Sequence, residues 1–254
     1  MTTPSNIGIT VVTPVFNAGL QISTLIESLL AQTDRNFEWI VADGVSSDNT
    51  FDIVFSATDL NPIWISQQDF GIYDALNRAL KQATGEYYIV AGADDIFAKD
   101  AIENFRAAII ESNADIVVAN ADHGVNKARL KNAPVWMVGE KAFIANHSLA
   151  TAFRCSLHKT YGWYSRRFPI AADSLFVLKA CKGGASRFNA EFEAGMIGGC
   201  GISRTDWAGS ATELFRVQLT LGASVLPQTI LLLLRIFKGS SPRLRMFYDT
   251  IFRQ

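Results

Sequence analysis

The sequence predicts an α/β protein with a mostly parallel central sheet flanked by helices. Two observations carry that expectation. Short apolar, β-rich runs alternate with segments whose apolar residues recur at the helical period. The polar residues that punctuate the alternation gather after the β runs, where a parallel sheet with right-handed crossovers brings its loops to one common edge.

Residues 7–13 form the first β run. A helix is expected over 20–31, with apolar residues at Leu20, Ile22, Leu25, Ile26, Leu29 and Leu30. A second run covers 37–42 and leads into a short helix over 49–57. The third run, 62–66, precedes a helix over 72–83, which closes before Gly85. The fourth run covers 87–91, the next helix 99–112 and the fifth run 115–119.

From residue 120 the alternation weakens. The stretch 120–132 is polar and basic and reads as a loop, 134–138 and 187–192 as strands, and 174–181 as a helix. Residues 199–210 form a small-residue loop of the kind that closes over ligands. Apolar helices with a basic bias follow residue 213, which divides the chain into 1–212, with halves 1–120 and 121–212, and a helical segment 213–254.

With 254 residues, 49% apolar and 19% charged, the chain has ample material for a core. A net charge of −1 gives no bulk reason to expect nucleic acid. Cys155, Cys181 and Cys200 are widely spaced, without the pairs that mark a zinc site or a disulfide framework, and read as reduced thiols of a cytoplasmic protein. The first six residues lack the basic and apolar regions of a signal peptide. The apolar run 225–237 is too short to span a bilayer and carries Pro227 and Arg235.

The loops after the runs hold the chemistry. They carry Thr13, Pro14 and Asn17 after the first, Asp43, Ser46, Asp48 and Thr50 after the second, Asp69, Gly71 and Asp74 after the third, and Asp94-Asp95 after the fourth. Two adjacent carboxylates at a strand's end suit a hard divalent cation, with positions left for phosphate oxygens. The same acids also suit the start of the next helix, since Asp is favoured at N-caps. No G-x-G-x-x-G follows the first run, so a dinucleotide site of that kind is not indicated. The turn 13–19 also lacks the basic residues of a sugar-nucleotide pyrophosphorylase phosphate loop.

Taken together, these loops resemble the family 2 inverting glycosyltransferases. The resemblance rests on Ile9-Thr-Val-Val-Thr-Pro-Val-Phe-Asn17, on Asp43-Gly44-x-Ser46-x-Asp48-x-Thr50, on Asp69-x-Gly71-Ile-Tyr-Asp-Ala-Leu-Asn77, and on Thr84-Gly85-Glu86 followed by Asp94-Asp95. Further on, His147-Ser148, Asp173 and Gly198-Gly199-x-Gly201-x-Ser203 resemble the acceptor-side segments. The resemblance implies a GT-A fold and a Mg²⁺ or Mn²⁺ ion held chiefly by Asp95, with Asp94 at the ribose or supporting the cation. It implies Asp43 at the nucleobase, Thr13 and Pro14 walling the base pocket, and Asn17, Asp69 and Gly71 beside the donor. Arg204 would reach the diphosphate, His147 and Ser203 a phosphate or the acceptor, and Asp173 would be the base.

Asp48 stays divided between capping the next helix and the site. Asp173 likewise divides between base and N-cap. Tyr73, Ala75, Leu76 and Asn77 read as support, and Asp74 as facing solvent. In the stretch Asp173-Ser174-Leu175 the second acid that many relatives carry two residues on is missing, leaving Asp173 the only acid there.

The implied partners are a nucleotide-sugar donor, with a UDP-sugar preferred and a GDP-sugar allowed, and a glycan or polyprenyl-linked acceptor. Arg216, Arg235, Lys238, Arg243, Arg245 and Arg253 interleave with apolar residues in the tail. That composition suits peripheral contact at the inner face of the cytoplasmic membrane. A helical pair packed on the sheet, or a second subunit, accounts for it equally. The alternative function is a non-catalytic, glycosyltransferase-like partner subunit that binds nucleotide.

Overall fold

The computed structural model describes residues 7–122, 133–144, 148–199 and 205–240, with side chains described as far as Phe237. In its first part β1 (Ile9–Val15), α1 (Ile22–Leu30), β2 (Glu38–Asp43), α2 (Thr50–Ser56), β3 (Ile63–Ser66), α3 (Ile72–Leu80) and β4 (Tyr87–Val90) alternate as expected. Next come β5 (Ile96–Phe97), α4 (Ala101–Ser112), β6 (Ile116–Asp122), α5 (Val135–Val138), β7 (Thr151–Arg154), α6 (Leu157–Tyr161) and α7 (Ala172–Lys182). The order closes with β8 (Arg187–Met196), α8 (Trp207–Thr220) and α9 (Val225–Ser240).

The strands form one sheet in the order β3-β2-β1-β4-β7-β6-β8-β5. β1, β2, β3, β4, β6 and β8 point one way, and β7 and β5 the other. The chain moves outward from β1 through β2 to β3, then returns to place β4 on the other side of β1. This reversal opens a crevice at the C-terminal ends of β1 and β4, the position where open α/β sheets bind ligands.

Both faces of the sheet are covered, which explains why its central strands read as unbroken apolar runs. On one face Val11, Trp39, Val41, Tyr87 and Ile89 meet Ile22, Leu25 and Leu29 of α1 and Phe105 of α4. On the other, Val12, Ile40, Tyr88 and Phe153 meet Leu76 of α3 and Phe176 and Leu178 of α7.

Several expectations need correction. Residues 135–138 are a helical turn, not a strand. Pro134 is extended and its carbonyl accepts from Met137 N at 2.8 Å, starting the turn, which the β-branched and aromatic run Val-Trp-Met-Val hides. β7 and the two-residue β5 were not expected, because each is specified by distant partners: β7 lies between β4 and β6, and β5 pairs with β8. β6 continues through Asp122, where a loop was expected from residue 120. The division at residue 212 falls inside α8. Residues 123–132 lie outside the described residues.

The tail is anchored to the domain as far as it is described. Gln218 Nε2 donates to Val135 O at 3.1 Å, Gln228 Nε2 to Trp136 O at 2.5 Å and Arg235 Nη2 to Met137 O at 2.8 Å. Three side chains from α8 and α9 thus satisfy three consecutive carbonyls of α5, groups a short helix cannot pair internally. Arg216 stacks over the Phe168 ring, 5.0 Å from its centre.

Candidate active site

Hydrogen bonds between loops build the crevice wall at β1 and β2. Asn17 has a left-handed φ of 50°, its N–H donates to Ser46 Oγ at 2.8 Å, and its Oδ1 accepts from Ser47 N at 2.9 Å. Asp48 Oδ2 accepts from Gly19 N at 3.0 Å, while its Oδ1 accepts from Thr50 N at 3.1 Å. The Thr50 hydroxyl bond, chief among several, holds the Asp48 carboxyl below its ordinary range. Asp48 and Asn17 therefore clamp the two loops together, and the helix start takes no side-chain bond from its N-cap, Asn49.

Asp43 ends β2 at 2% exposure. Its carboxylate accepts from Val45 N, Ser46 N and Ser66 Oγ, at 3.1, 3.0 and 2.6 Å. Those bonds satisfy a buried charge and hold Val45 in the left-handed region at φ 69°, a strained conformation for a β-branched residue. Thr13 is fully buried with its Oγ1 accepting from Trp39 Nε1 at 3.0 Å, so its hydroxyl serves the interior. Pro14 is half-buried, and Phe16 follows at 67% exposure.

Arg78, on α3, ties the third loop to the second, a role the sequence reading missed. Its Nη2 donates to Gln67 O at 3.0 Å and lies 3.8 Å from Asp69 Oδ2. Asp69 accepts from Gly71 N at 3.0 Å, and Gly71 turns at φ 103° with open space where a side chain would stand. Asp74 does not face solvent. It is buried, paired with Arg166 at 2.5 Å and with Arg78 at 3.5 Å, because α3 packs its first turn against residues 164–171. The i,i+4 spacing of Asp74 and Arg78 was the available signal for that pair. Asn77 is support as expected, its amide bonding both the N–H and the carbonyl of Tyr164.

The acid pair stands at the turn after β4. Asp95 is 2% exposed, and its carboxylate accepts from Gly92 N at 2.8 Å, Ser148 Oγ at 2.6 Å and Gly198 N at 2.8 Å. Burial pushes its carboxyl above the usual range, and the nearby Asp94 charge adds to this, while the three hydrogen bonds pull it back. Asp94 is more accessible, and its carboxylate occupies the space a β-carbon would take on Gly198, so only glycine admits it there. Oxygens of Asp94 and Asp95 lie 3.1 and 3.4 Å from the β-carbon position of Gly92 and so flank one point.

This donor set fits Mg²⁺ or Mn²⁺. Such ions bind through one or two carboxylates, with water and substrate phosphate filling the remaining positions. Among the described residues no group of three His, Cys, Asp or Glu adds a further protein ligand. Cys155 and Cys181 are poor metal ligands and nucleophiles, since burial pushes Cys155 up to about 12 and Cys181 to about 11.

Asp173 lies in the first turn of α7 but does not cap it; the N-cap is Ala171. Asp173 Oδ1 accepts from Ser174 N at 2.7 Å. Burial raises its carboxyl pKa, against a lowering hydrogen bond from Tyr73. Tyr73 begins α3 directly after the Asp69–Gly71 turn, so the structure brings Asp173 beside the third loop. Burial first, and then the Asp173 charge, hold the Tyr73 hydroxyl protonated.

Asp173 is also not the only acid in this place. Glu140 is enclosed near it, with a carboxyl raised by burial and further by the Asp173 charge, and hydrogen-bonded to Ser174. Glu140 Oε2 has no hydrogen-bond partner among the described residues. Sequence distance hid this acid, which stands over thirty residues before Asp173.

A stability prediction follows. A carboxyl whose pKa is raised by folding binds its proton more tightly in the native state, so its stabilising effect is complete below the unfolded pKa and is lost as pH rises through the folded one. Glu140→Gln should therefore raise stability at pH 8 by about 1 kcal/mol, or roughly 2–4 °C in Tm, with the gain vanishing near pH 4. Thermal unfolding across that range checks it. A variant less stable than the parent at pH 8 would contradict it.

His147, Ser203 and Arg204 lie outside the described residues.

Residues 10–164, more than half of the chain, match the family described as "Glycosyl transferase family 2". The chain belongs to that family. Among curated relatives, "Glycosyltransferase GlyA" of Streptococcus pneumoniae is 32% identical over 114 residues, covering 44% of this chain and 16% of the relative. A "PGL/p-HBAD biosynthesis glycosyltransferase" of Mycobacterium bovis is 29% identical over 169 residues, covering 64% of this chain and 65% of the relative. The chain thus spans less than two thirds of the length of these relatives.

Staphylococcus aureus TarS 1–349 in complex with UDP superposes with a TM-score of 0.66 at 21% identity, covering 93% of this chain and 73% of the other. The mannosyltransferase PcManGT from Pyrobaculum calidifontis, in complex with GDP-Man and Mn²⁺, gives a TM-score of 0.66 at 19% identity, covering 95% of this chain and 78% of the other. These likenesses show a common GT-A fold. Asp43, Asp69, Asp94 and Asp95 fall within the stretch matched to the family 2 glycosyltransferases, while Asp173 lies beyond it.

Proposed function

We propose that this family 2 glycosyltransferase is a metal-dependent inverting enzyme that moves a sugar from a nucleotide-diphosphate donor to a glycan or lipid-linked acceptor in cell-surface polysaccharide biosynthesis. One observation carries the reading. An acid pair suited to a cation closes the turn after β4, and Asp173, a carboxyl of raised pKa, stands beside Tyr73 at the start of α3, just after the third loop.

Asp43 and the loop it braces would receive the base, and Asp69 and Gly71 the donor's sugar side. Asp95 and Asp94 would hold Mg²⁺ or Mn²⁺, which supplies positive charge for the departing diphosphate. Inversion needs a base opposite the leaving group, and Asp173 would take the acceptor hydroxyl proton. Its raised pKa moves it closer to neutrality, where a base gains driving force for proton transfer. Tyr73, whose hydroxyl donates to Ile170 O at 2.9 Å, stays protonated beside the Asp173 carboxyl. A UDP-sugar is the preferred donor and a GDP-sugar the second. TarS binding UDP and PcManGT binding GDP-Man support a nucleotide-sugar partner. Incubating the chain with a panel of UDP- and GDP-sugars, with and without Mn²⁺, tests the reading. Release of nucleotide diphosphate from none of them would count against it.

Peripheral membrane contact is the proposed reading of the tail's outer face. α9 buries Gln228 and Leu231 against the domain but exposes Leu226, Ile230, Leu233 and Phe237, a stripe along one side. No helix among the described residues is long and apolar enough to cross a membrane. Arg235 is bonded to Met137 O; the sequence beyond it, whose side chains lie outside the described residues, carries Lys238, Arg243, Arg245 and Arg253, and a base near an anionic surface contributes about 1 kcal/mol. Co-sedimentation with anionic vesicles is expected at low salt and should weaken at high salt. No binding at low salt would favour a packed or subunit-facing tail.

A further inference from the structure

We propose that Glu213 is a positioning residue for the reaction, acting through the peptide segment that launches α7. The proposal deepens the reading of Asp173 as base and rests on it. Glu213 is a carboxylate on α8 at 6% exposure, a costly group to bury on a helix whose neighbouring buried positions are Ala211, Val217 and Gln218. Its Oε2 accepts from Ile170 N and from Ala171 N, both at 2.9 Å. Those two amides lie at the entrance of α7, where N–H groups lack partners within the helix and the dipole favours a negative charge. Glu213 thus supplies from another helix the cap that Ala171 cannot.

The same peptide is met from the opposite side. Tyr73 Oη lies 2.9 Å from Ile170 O, so α3 and α8 grip one residue between them. The first α7 bond runs from Leu175 N to Ala171 O at 3.1 Å, and Asp173 lies inside that turn. Fixing Ile170 and Ala171 therefore fixes the direction in which the Asp173 carboxyl leaves the backbone. α8 approaches closely along this edge. The Ile170 side chain reaches to 2.7 Å of the β-carbon position on Gly209, and Leu214 to 3.2 Å of that on Gly139, beside Glu140. One helix backs both acid-bearing segments.

The test compares Glu213→Ala and Glu213→Gln in the full chain, using amide hydrogen exchange and turnover of UDP-glucose, UDP-galactose and UDP-N-acetylglucosamine with Mn²⁺. In Glu213→Ala, the Ile170 and Ala171 amides should exchange at least 100-fold faster. Its kcat should fall at least tenfold, with KM for the donor unchanged within twofold. Glu213→Gln still offers an amide oxygen to both donors and should recover most of kcat. A folded Glu213→Ala with normal kcat, or a Glu213→Gln as slow as Glu213→Ala, would overturn the proposal. If Glu213→Ala does not fold, the kcat of Glu213→Gln against that of Glu213→Asp, one methylene shorter, decides it: equal rates overturn it. Asp173→Asn is run in parallel. Near-normal turnover there faults the base assignment itself, independently of the exchange rates.

Discussion

Asp95→Asn is expected to lower turnover of a nucleotide-sugar donor by about 10²–10³-fold, the scale on which losing one preorganised charge-stabilising group acts. The diphosphate gains negative charge as the glycosidic bond breaks, and Asp95 is the proposed chief ligand of the cation that offsets it. The structure adds a consequence for stability. Asp95 accepts from Gly92 N, Ser148 Oγ and Gly198 N, and Asn presents an oxygen on only one side. The Ser148 hydroxyl can turn to accept instead, whereas a backbone N–H cannot. A buried donor left unpaired costs about 1–3 kcal/mol, and removing a buried charge offsets part of that. The variant should therefore fold with a modest change in Tm. Asp94→Asn, at the more accessible acid, gives a second reading of the pair. Full activity of Asp95→Asn in chelator would sink the metal assignment.

Asp173→Asn carries the second large effect. Transfer should fall by about 10²–10⁴-fold, the usual contribution of a positioned general base. Nucleotide binding should survive, because the donor loops are built from β1, β2 and β3 and not from α7. The helix start should also survive, since Glu213 holds the Ile170 and Ala171 amides and Asn still offers an oxygen to Ser174 N. Removing a carboxyl that burial has pushed up should, if anything, raise stability at neutral pH. Measured UDP binding and turnover of the purified variant separate these effects. Near-normal transfer would move the role of base elsewhere, with His147 and Glu140 the next acids and bases to test.

The half of the fold built by β1, β2, β3 and β4 was legible because those strands are buried on both faces or end at polar loops, so pattern and position agree. Asp43, Asp69, Asp94 and Asp95 were legible for the same reason: each follows a strand whose end the apolar run marks. What could not be read came from contacts across the chain. α5 is a helix whose carbonyls are satisfied by Gln218, Gln228 and Arg235, some eighty to a hundred residues away. β7 takes its place only once β4 and β6 are there to pair with it. Glu140 reaches Asp173 through the fold alone, and Glu213 shows in sequence only as an acid amid an apolar helix. Arg78 left a trace in its spacing from Asp74, but its bonds to the Gln67 and Asp69 loop need the sheet to form first.

The most direct test of metal-dependent inverting transfer is NMR of donor hydrolysis, with water standing in for the acceptor. An α-linked UDP-sugar is mixed with the chain in Mn²⁺ buffer, and the anomeric protons are followed before the free sugar equilibrates. The account predicts that the β-anomer appears first, and that its release stops in chelator and in Asp173→Asn. First appearance of the α-anomer, or undiminished release in chelator, would contradict it.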